Sequence, residues 1–438
     1  MADNRKKRRS INNYGTGRQK LVRRLIKIAA WTIGILILLV AGLFTWLTIT
    51  EYKPADIETV AVEGTADPVR DSGNKGMTIG ENVTIMTWNV GYGALGDNAD
   101  FFMDGGKGVK TADVDRVMAN LKGIGTSIRL LDPDIVFFQE VDKDSARSYE
   151  IDEADYFTRA QNTENDKQYQ TAFAYNYKVK FVPYPLPPIG KVNGGILTLS
   201  DYELTESERR QLPCPFSWPY RLGNLKRCLL VSRTPVYDAE GNPTGKDLVL
   251  VNLHLEAYDS GEGKAAQTAM LKDFLQAEYD KGNYVIAGGD FNQTFTSVDT
   301  SMYPEQPDRW HCGSLDTSEF SDDFEFVMDN QFPTCRSLDQ SYADADKENF
   351  QYYMIDGFIV SKNVSVNVYN TIDLQFECTD HNNIGKAKAF FFYGYPALIM
   401  LKYKTERNVF CSQKSGNNGF VEFGNFTGAA GQGSLQFK

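Results

Sequence analysis

Hydrophobic and polar positions divide the chain into regimes. From Ile28 to Thr50 (IAAWTIGILILLVAGLFTWLTIT) no residue is charged, and apolar side chains would cover every face of a helix. These 23 residues rise about 34 Å as a helix, enough to cross a bilayer core. Residues 51–80 are polar and Gly-containing and read as a linker, with one short strand near Val60–Val62. From Val83 onward, compact apolar runs alternate with amphipathic stretches. Val83–Trp88, Asp134–Glu140, Leu248–Leu253, Tyr284–Ala287 and Tyr353–Val360 read as buried strands. Val114, Val117, Leu121, Ile124, Ile128 and Leu131 recur at helical spacing up to Pro133. Ala265–Tyr279 reads as a second helix, stopped by Gly282-Asn283. Residues 295–350 lack a clean period and read as a surface insertion in a domain spanning 81–404. The stretch 405–438 is Gly/Asn/Ser-rich and is expected to be a disordered tail. Strands alternating with helices predict an α/β domain behind one transmembrane helix.

Charge gives the anchor a direction. Residues 1–27 carry ten Lys or Arg against one acid, leaving 36 basic and 56 acidic side chains for the rest of a chain whose net charge is −11. The positive-inside bias keeps 1–27 in the cytoplasm and places the rest outside, anchored in the plasma membrane by a single pass. Trp31 and Trp46 suit the two interfaces. A cleaved signal peptide is the rival reading, but the apolar run exceeds an ordinary h-region and no small-x-small site follows it. The acidic body disfavours a general polyanion coat. The six cysteines have no CxxC spacing, which argues against a zinc cluster and leaves disulfides or buried thiols open.

The chemistry gathers where strands end. Asn89 follows TIMTW, Glu140 follows DIVFFQ, His254 follows VLVNL, and Asp290 with Asn292 follow VIAGG. Asp356 opens a strand, and Asp380-His381 precede the last one. Open α/β sheets gather ligand groups at strand ends. Only three histidines exist, and two belong to this set, whereas His311 reads as a surface residue. Carboxylates and imidazoles without thiolates suit a hard ion such as Mg²⁺ better than zinc. The aromatic segment Pro213–Tyr220 (PCPFSWPY) reads either as a core flap or as a lipid- or substrate-contacting loop.

The ordered set TWNV, FFQEVD, VNLHL, GGDFN, IDGFIVS and TDHN resembles the endonuclease/exonuclease/phosphatase superfamily over about Val83 to Lys404. The pattern at His254 is nearest to its DNase I, neutral sphingomyelinase and inositol phosphatase branches. The resemblance implies a four-layer α/β/β/α sandwich with Mg²⁺, or Mn²⁺, held by Glu140 with Asn89 and Asp380. It further implies Asp290 as the base for the attacking water, Asn292 on the phosphate, and His381 stabilising charge on phosphorus with Asp356 behind it. His254 would be the leaving-group acid or a second phosphate donor. In one respect the chain departs from the family pattern. Asn382–Lys388 reads as an insertion after His381, with Tyr395–Met400 as the displaced closing strand.

The expected function is thus a membrane-anchored, divalent-metal-dependent phosphoesterase. A phosphodiester is preferred over a phosphomonoester, and a lipid head-group or other small diester over nucleic acid. An extracytoplasmic nuclease and a catalytically weak binding module are the alternatives.

Overall fold

The computed structural model describes residues 2–64, 76–164 and 167–390. Two sheets of eight strands each form its centre. The first runs Ile57–Thr59, Glu206–Gln211, Cys228–Tyr237, Pro243–His254, Tyr284–Asp290, Asp356–Ser361, Phe324–Val327, with Met77–Thr78 beside Cys228–Tyr237. The second runs Ser365–Val366, Asn383–Phe390, Asn82–Asn89, Ile135–Asp142, Gly190–Ser200, Gln170–Val182, Val62–Glu63, with Thr371–Ile372 beside Asn383–Phe390.

The strands are apolar on both faces because both faces are covered. Val83, Ile85, Ile135 and Phe137 of the second sheet meet Leu248, Leu250, Ile286 and Phe358 of the first in one core. Their alternate neighbours Met86, Trp88, Val136 and Phe138 pack on Val117, Leu121, Ile124 and Ile128 of a helix, α2, spanning Val114–Leu131. Val249, Val251 and Val285 pack on Leu271, Phe274 and Leu275 of the helix Glu262–Asp280. The period of two along each strand therefore yields four layers, α/β/β/α. Asp113 caps α2 by accepting a hydrogen bond from Arg116 N (2.8 Å), and Asp132 ends it in the left-handed region.

Three sequence expectations change. Within 51–80, the described residues form a strap: Ile57–Thr59 pairs at the edge of the first sheet, Val62–Glu63 at the edge of the second, and Met77–Thr78 on Cys228–Tyr237. Within 295–350, Phe324–Val327 is an edge strand and Arg336 is fully buried, so this segment is more than surface decoration. Asn383–Phe390 pairs with Asn82–Asn89, so the closing strand begins two residues after His381 where an insertion was expected. Tyr395–Met400 and the tail 405–438 lie outside the described residues.

The N-terminal helix, Ala2–Ile49, includes a 31-residue stretch, Gln19–Ile49, apolar enough to cross a membrane. Cys214, Cys228, Cys312 and Cys335 are free thiols.

An ion-pair cluster ties the helix Glu262–Asp280 to the first sheet. The buried Glu278 carboxylate accepts from both terminal nitrogens of Arg233 (2.8 and 2.9 Å), from Lys281 (2.8 Å) and from Asn283 (2.8 Å). Burial alone would raise its pKa, but these donors hold it down, from an ordinary 4.5 to about 2. Because the folded value is depressed, this stabilisation is present above about pH 4.5 and is lost as pH falls toward 2. Glu278→Gln is expected to cost about 1–3 kcal/mol at neutral pH, since it removes the charge that the partly buried Arg233 guanidinium and Lys281 pair with. Urea unfolding at pH 7 and pH 3 checks this: the gap between wild type and variant should narrow at pH 3.

Candidate active site

The parity that builds the core also builds the site. Inward positions are apolar deep in the sandwich and become polar toward the strand ends, as Thr87, Gln139 and Asn252. Gln139 donates to Asn252 Oδ1 (2.8 Å) and Thr87 Oγ1 (3.1 Å), and Asn252 Nδ2 donates to Leu197 O (3.0 Å). This plug spans the two sheets directly beneath the site. One inward step further come Asn89, His254 and Asp290. His254 and Asp290 are register partners on parallel strands, and Asp290 pairs with Asp356 on the next strand. Gly289 permits the close approach: a Cβ there would lie 1.9 Å from Leu253 O, and its φ is +148°.

Glu140 breaks the parity. Register shifts between Phe138 and Val141, and Glu140 has φ +55°, so a bulge turns it out of the helix-facing row into the cleft. A left-handed glutamate is strained, and such strain concentrates at functional positions.

All eight expected residues come together. Asn89 Nδ2 donates to Glu140 Oε1 (3.2 Å) and Asp290 Oδ2 (3.1 Å), while its Oδ1 accepts from Gly91 N (3.0 Å). Asn89 therefore bridges two carboxylates with its oxygen engaged by Gly91 N, at a position where a direct or water-mediated metal partner was expected. Asp290 Oδ1 accepts from Asn292 N (2.8 Å). The Asn292 side chain donates to Leu255 O (2.9 Å), so its backbone is what holds Asp290. His254 Nε2 lies 3.5 Å from Asp290 Oδ2 and 4.0 Å from Glu140 Oε1. His381 Nδ1 is 2.8 Å from Asp356 Oδ2, and its Nε2 faces Asp290 Oδ2 at 3.8 Å and Asp380 Oδ2 at 4.0 Å. Trp88 Nε1 donates to His381 O (2.9 Å) and Asn382 N to Thr334 O (2.8 Å), so the backbone at His381 is fixed on both sides.

The two imidazoles hold opposite charge states. Burial pushes His254 well below its usual pKa, and Arg227 and His381 add to this, so it is neutral. Of the two roles the resemblance implies for His254, leaving-group acid or phosphate donor, a neutral imidazole suits the second. Burial would also lower His381, but Asp356 first and Asp380 with it outweigh it and raise it well above its usual value. Asp290 is raised by burial and by Asp356, and Glu140 by burial and by Asp380.

Glu140 beside Asp380 is a concentration of negative charge that a divalent cation would relieve, and its donors are oxygens. Among the described residues two other groupings could hold an ion: Cys335, Asp380 and His381, or Asp290, Asp356 and His381. Burial raises the Cys335 thiol to about 12, so it stands as a neutral thiol among the carboxylates. In the second grouping His381 Nδ1 is already engaged by Asp356.

Residue patterning alone missed Arg147 and Arg336. Arg147 makes a two-pronged pair with Asp142 (2.9 Å twice) and lies 3.7 Å over the Tyr92 ring, on the cavity wall near Glu140. Asp142, the acid that ends the strand five residues before Arg147, was the available signal. Arg336 donates to Ser337 O and Gly96 O (2.8 Å each), contacts that no local pattern announces. His311 is exposed and pairs with Glu305 (2.7 Å), as expected of a surface residue.

A family model described as Endonuclease/Exonuclease/phosphatase family matches residues 86–367. The chain belongs to that family. It is thus a hydrolase of the phosphoesterase and nuclease class with a DNase I-like fold. Similar solved structures include an endonuclease/exonuclease/phosphatase from Beutenbergia cavernae, 18% identical over 71% of this chain and 72% of that one, TM-score 0.49. The human Nocturnin catalytic domain is 16% identical over 76% and 98%, TM-score 0.41. A D. rerio TDP2, complexed with single-strand DNA product, is 14% identical over 70% and 98%, TM-score 0.39. No curated protein matches the sequence. The assignment rests on the matched stretch.

Proposed function

We propose that the protein is a membrane-anchored, divalent-cation-dependent phosphodiesterase that hydrolyses a lipid head-group or other small phosphodiester outside the cytoplasm. The carrying observation is the convergence of His254 and His381 on Asp290 Oδ2, at 3.5 and 3.8 Å, in a cavity whose lining also takes in Glu140. Glu140, with Asp380 nearby, would hold Mg²⁺ or Mn²⁺. When bound, the ion would supply Lewis-acid polarisation of a non-bridging phosphate oxygen. Asp290, fixed by Asn292 N and Asn89, accepts the proton of the attacking water. His381, held as imidazolium by Asp356, faces the charge that develops on phosphorus. His254, with Nε2 turned toward Asp290, would donate a hydrogen bond to the phosphate. Arg147 adds positive charge to the same wall. The basic flank before Ile28 supports a cytoplasmic N-terminus and an exported catalytic domain.

The test is phosphorus NMR on the full chain in nanodiscs, with and without Mg²⁺, against DNA, phosphatidylcholine, sphingomyelin, phosphoinositide and inositol phosphates. One diester resonance should convert to a monoester only with the ion. Release of free phosphate would make the protein a monoesterase, and efficient plasmid nicking at physiological salt would make it a nuclease. Glu140→Gln should weaken Mg²⁺ activation by more than about tenfold, read as a rightward shift of the activation curve. An unchanged curve would remove Glu140 from the ion site. Protease protection of residues after Glu51 in right-side-out vesicles would overturn the exported topology.

A further inference from the structure

The site opens into a cavity of about 700 Å³ whose walls belong to two different environments. Glu140, His254, Asp290 and His381 line one part, and Phe44 and Leu47 of the apolar N-terminal helix line another. Phe101, Phe102, Phe216 and Leu222 add an aromatic and aliphatic stretch of wall. The helix is docked against the domain. Leu47 is buried, Trp218 Nε1 donates to Thr48 Oγ1 (3.2 Å), and the Trp218 ring lies 6.1 Å from that of Phe44. Glu51, just past the helix end, pairs with Arg221 (3.3 Å) and Lys226 (3.5 Å), which fixes where the helix leaves the domain. The loop that carries Trp218 and the loop 183–189 also hold apolar side chains that are exposed: Leu186 by 85%, Tyr220 by 73%, Tyr184 by 68% and Trp218 by 54%. Exposed apolar groups with Trp and Tyr, set beside the end of a membrane-crossing helix, match the composition of a membrane-interface surface.

We propose that this cavity is a hydrocarbon-chain site. In it the substrate is an amphiphilic phosphoester whose phosphate sits among Glu140, Asp290 and His381 while its chain runs toward Phe44 and Leu47. The substrate would reach the site laterally, from the membrane leaflet at the C-terminal end of the helix. This rests on the phosphodiesterase reading and adds a ligand subsite built partly from the anchor itself. A nucleic acid or free inositol phosphate would leave the apolar wall against water, whereas a chain removes both surfaces from water together. The volume lies in the range of pockets that enclose a small-molecule ligand, about 300–1,000 Å³.

The experiment uses the full chain in nanodiscs with alkyl p-nitrophenyl phosphate diesters, the alkyl group running from methyl to dodecyl. For the wild type, kcat/KM should rise by up to about fourfold per methylene, the ratio equivalent to about 0.8 kcal/mol per buried CH₂, and then level off. Leu47→Trp, which fills the helix end of the cavity, should cut the decyl-to-methyl ratio by at least about tenfold, the equivalent of two lost methylenes. Phe44→Ala, which enlarges the same end, should move the plateau to longer chains. A flat wild-type series would overturn the proposal while leaving the phosphodiesterase reading intact. If no diester is hydrolysed, that reading fails, and binding decides the subsite separately. A phosphatidylcholine with a diazirine at its chain terminus should label the peptides carrying Phe44–Ile49 and Phe216–Leu222. Labelling confined to Ile28–Val40 would overturn the chain site.

Discussion

Asp290→Asn is expected to lower kcat by about 10²–10⁴-fold with Mg²⁺ saturating, and to leave the fold standing. The substitution keeps the shape and the hydrogen bond from Asn292 N, gives up the one from Asn89, and removes the atom that takes the water's proton. Two forces raise the Asp290 pKa, first burial and then Asp356, so wild-type activity should climb as pH rises through that elevated value. The neutral amide cannot titrate, so the residual activity of the variant should lack this acid limb. The measurement is a pH–rate profile of both proteins on the diester found by phosphorus NMR, with thermal melts as the control for folding. Stability should not suffer, because the substitution relieves the repulsion between two buried carboxylates. A variant that loses less than tenfold, or that keeps the acid limb, would exclude Asp290 as the base.

How far the site could be read in advance follows from the same parity. Both-faced apolar strands such as Val83–Trp88 announce a layer on each side, and the switch to polar residues at Asn89, His254 and Asp290 announces the cleft between sheets. What escaped depends on distant pairing. The bulge at Glu140 has no glycine or proline to mark it, since its cause lies in the register with Gly194 and Gly195 on the neighbouring strand. Asn383-Ile384-Gly385-Lys386-Ala387-Lys388 has the composition of a loop and poor β-propensity. It becomes a strand because it pairs with Asn82–Asn89, so tertiary context overrides the local preference. The neutral state of His254 could not be read either, because it arises from burial and from Arg227, 27 positions away in the chain. The strap at 57–63 looked like a linker for a similar reason: three- and two-residue strands carry no period, and only the two sheet edges give them one.

His381→Ala should reduce kcat by about 10²–10³-fold, the usual cost of removing one preorganised donor to a developing charge. Its partner gives the sharper test. Asp356 touches His381 Nδ1 at 2.8 Å, and it is the largest influence keeping the imidazole protonated against burial. Because the folded pKa is raised, the charged form persists through neutrality and disappears only as pH rises through the elevated value. The pair likewise stabilises the fold fully below about pH 6.5 and loses that contribution over the same rise. Asp356→Asn keeps an oxygen within reach of Nδ1 but removes the charge. The alkaline limb of the rate profile should then move down toward about 6.5, with kcat at pH 8 falling about 10- to 100-fold. At acidic pH, where His381 is protonated in either protein, the difference should shrink. Direct observation comes from nitrogen-15 NMR of labelled histidine, whose imidazolium and imidazole signals report the charge state without turnover. If Asp356→Asn loses the same factor at every pH and the imidazolium signal is unchanged, Asp356 acts through packing rather than charge.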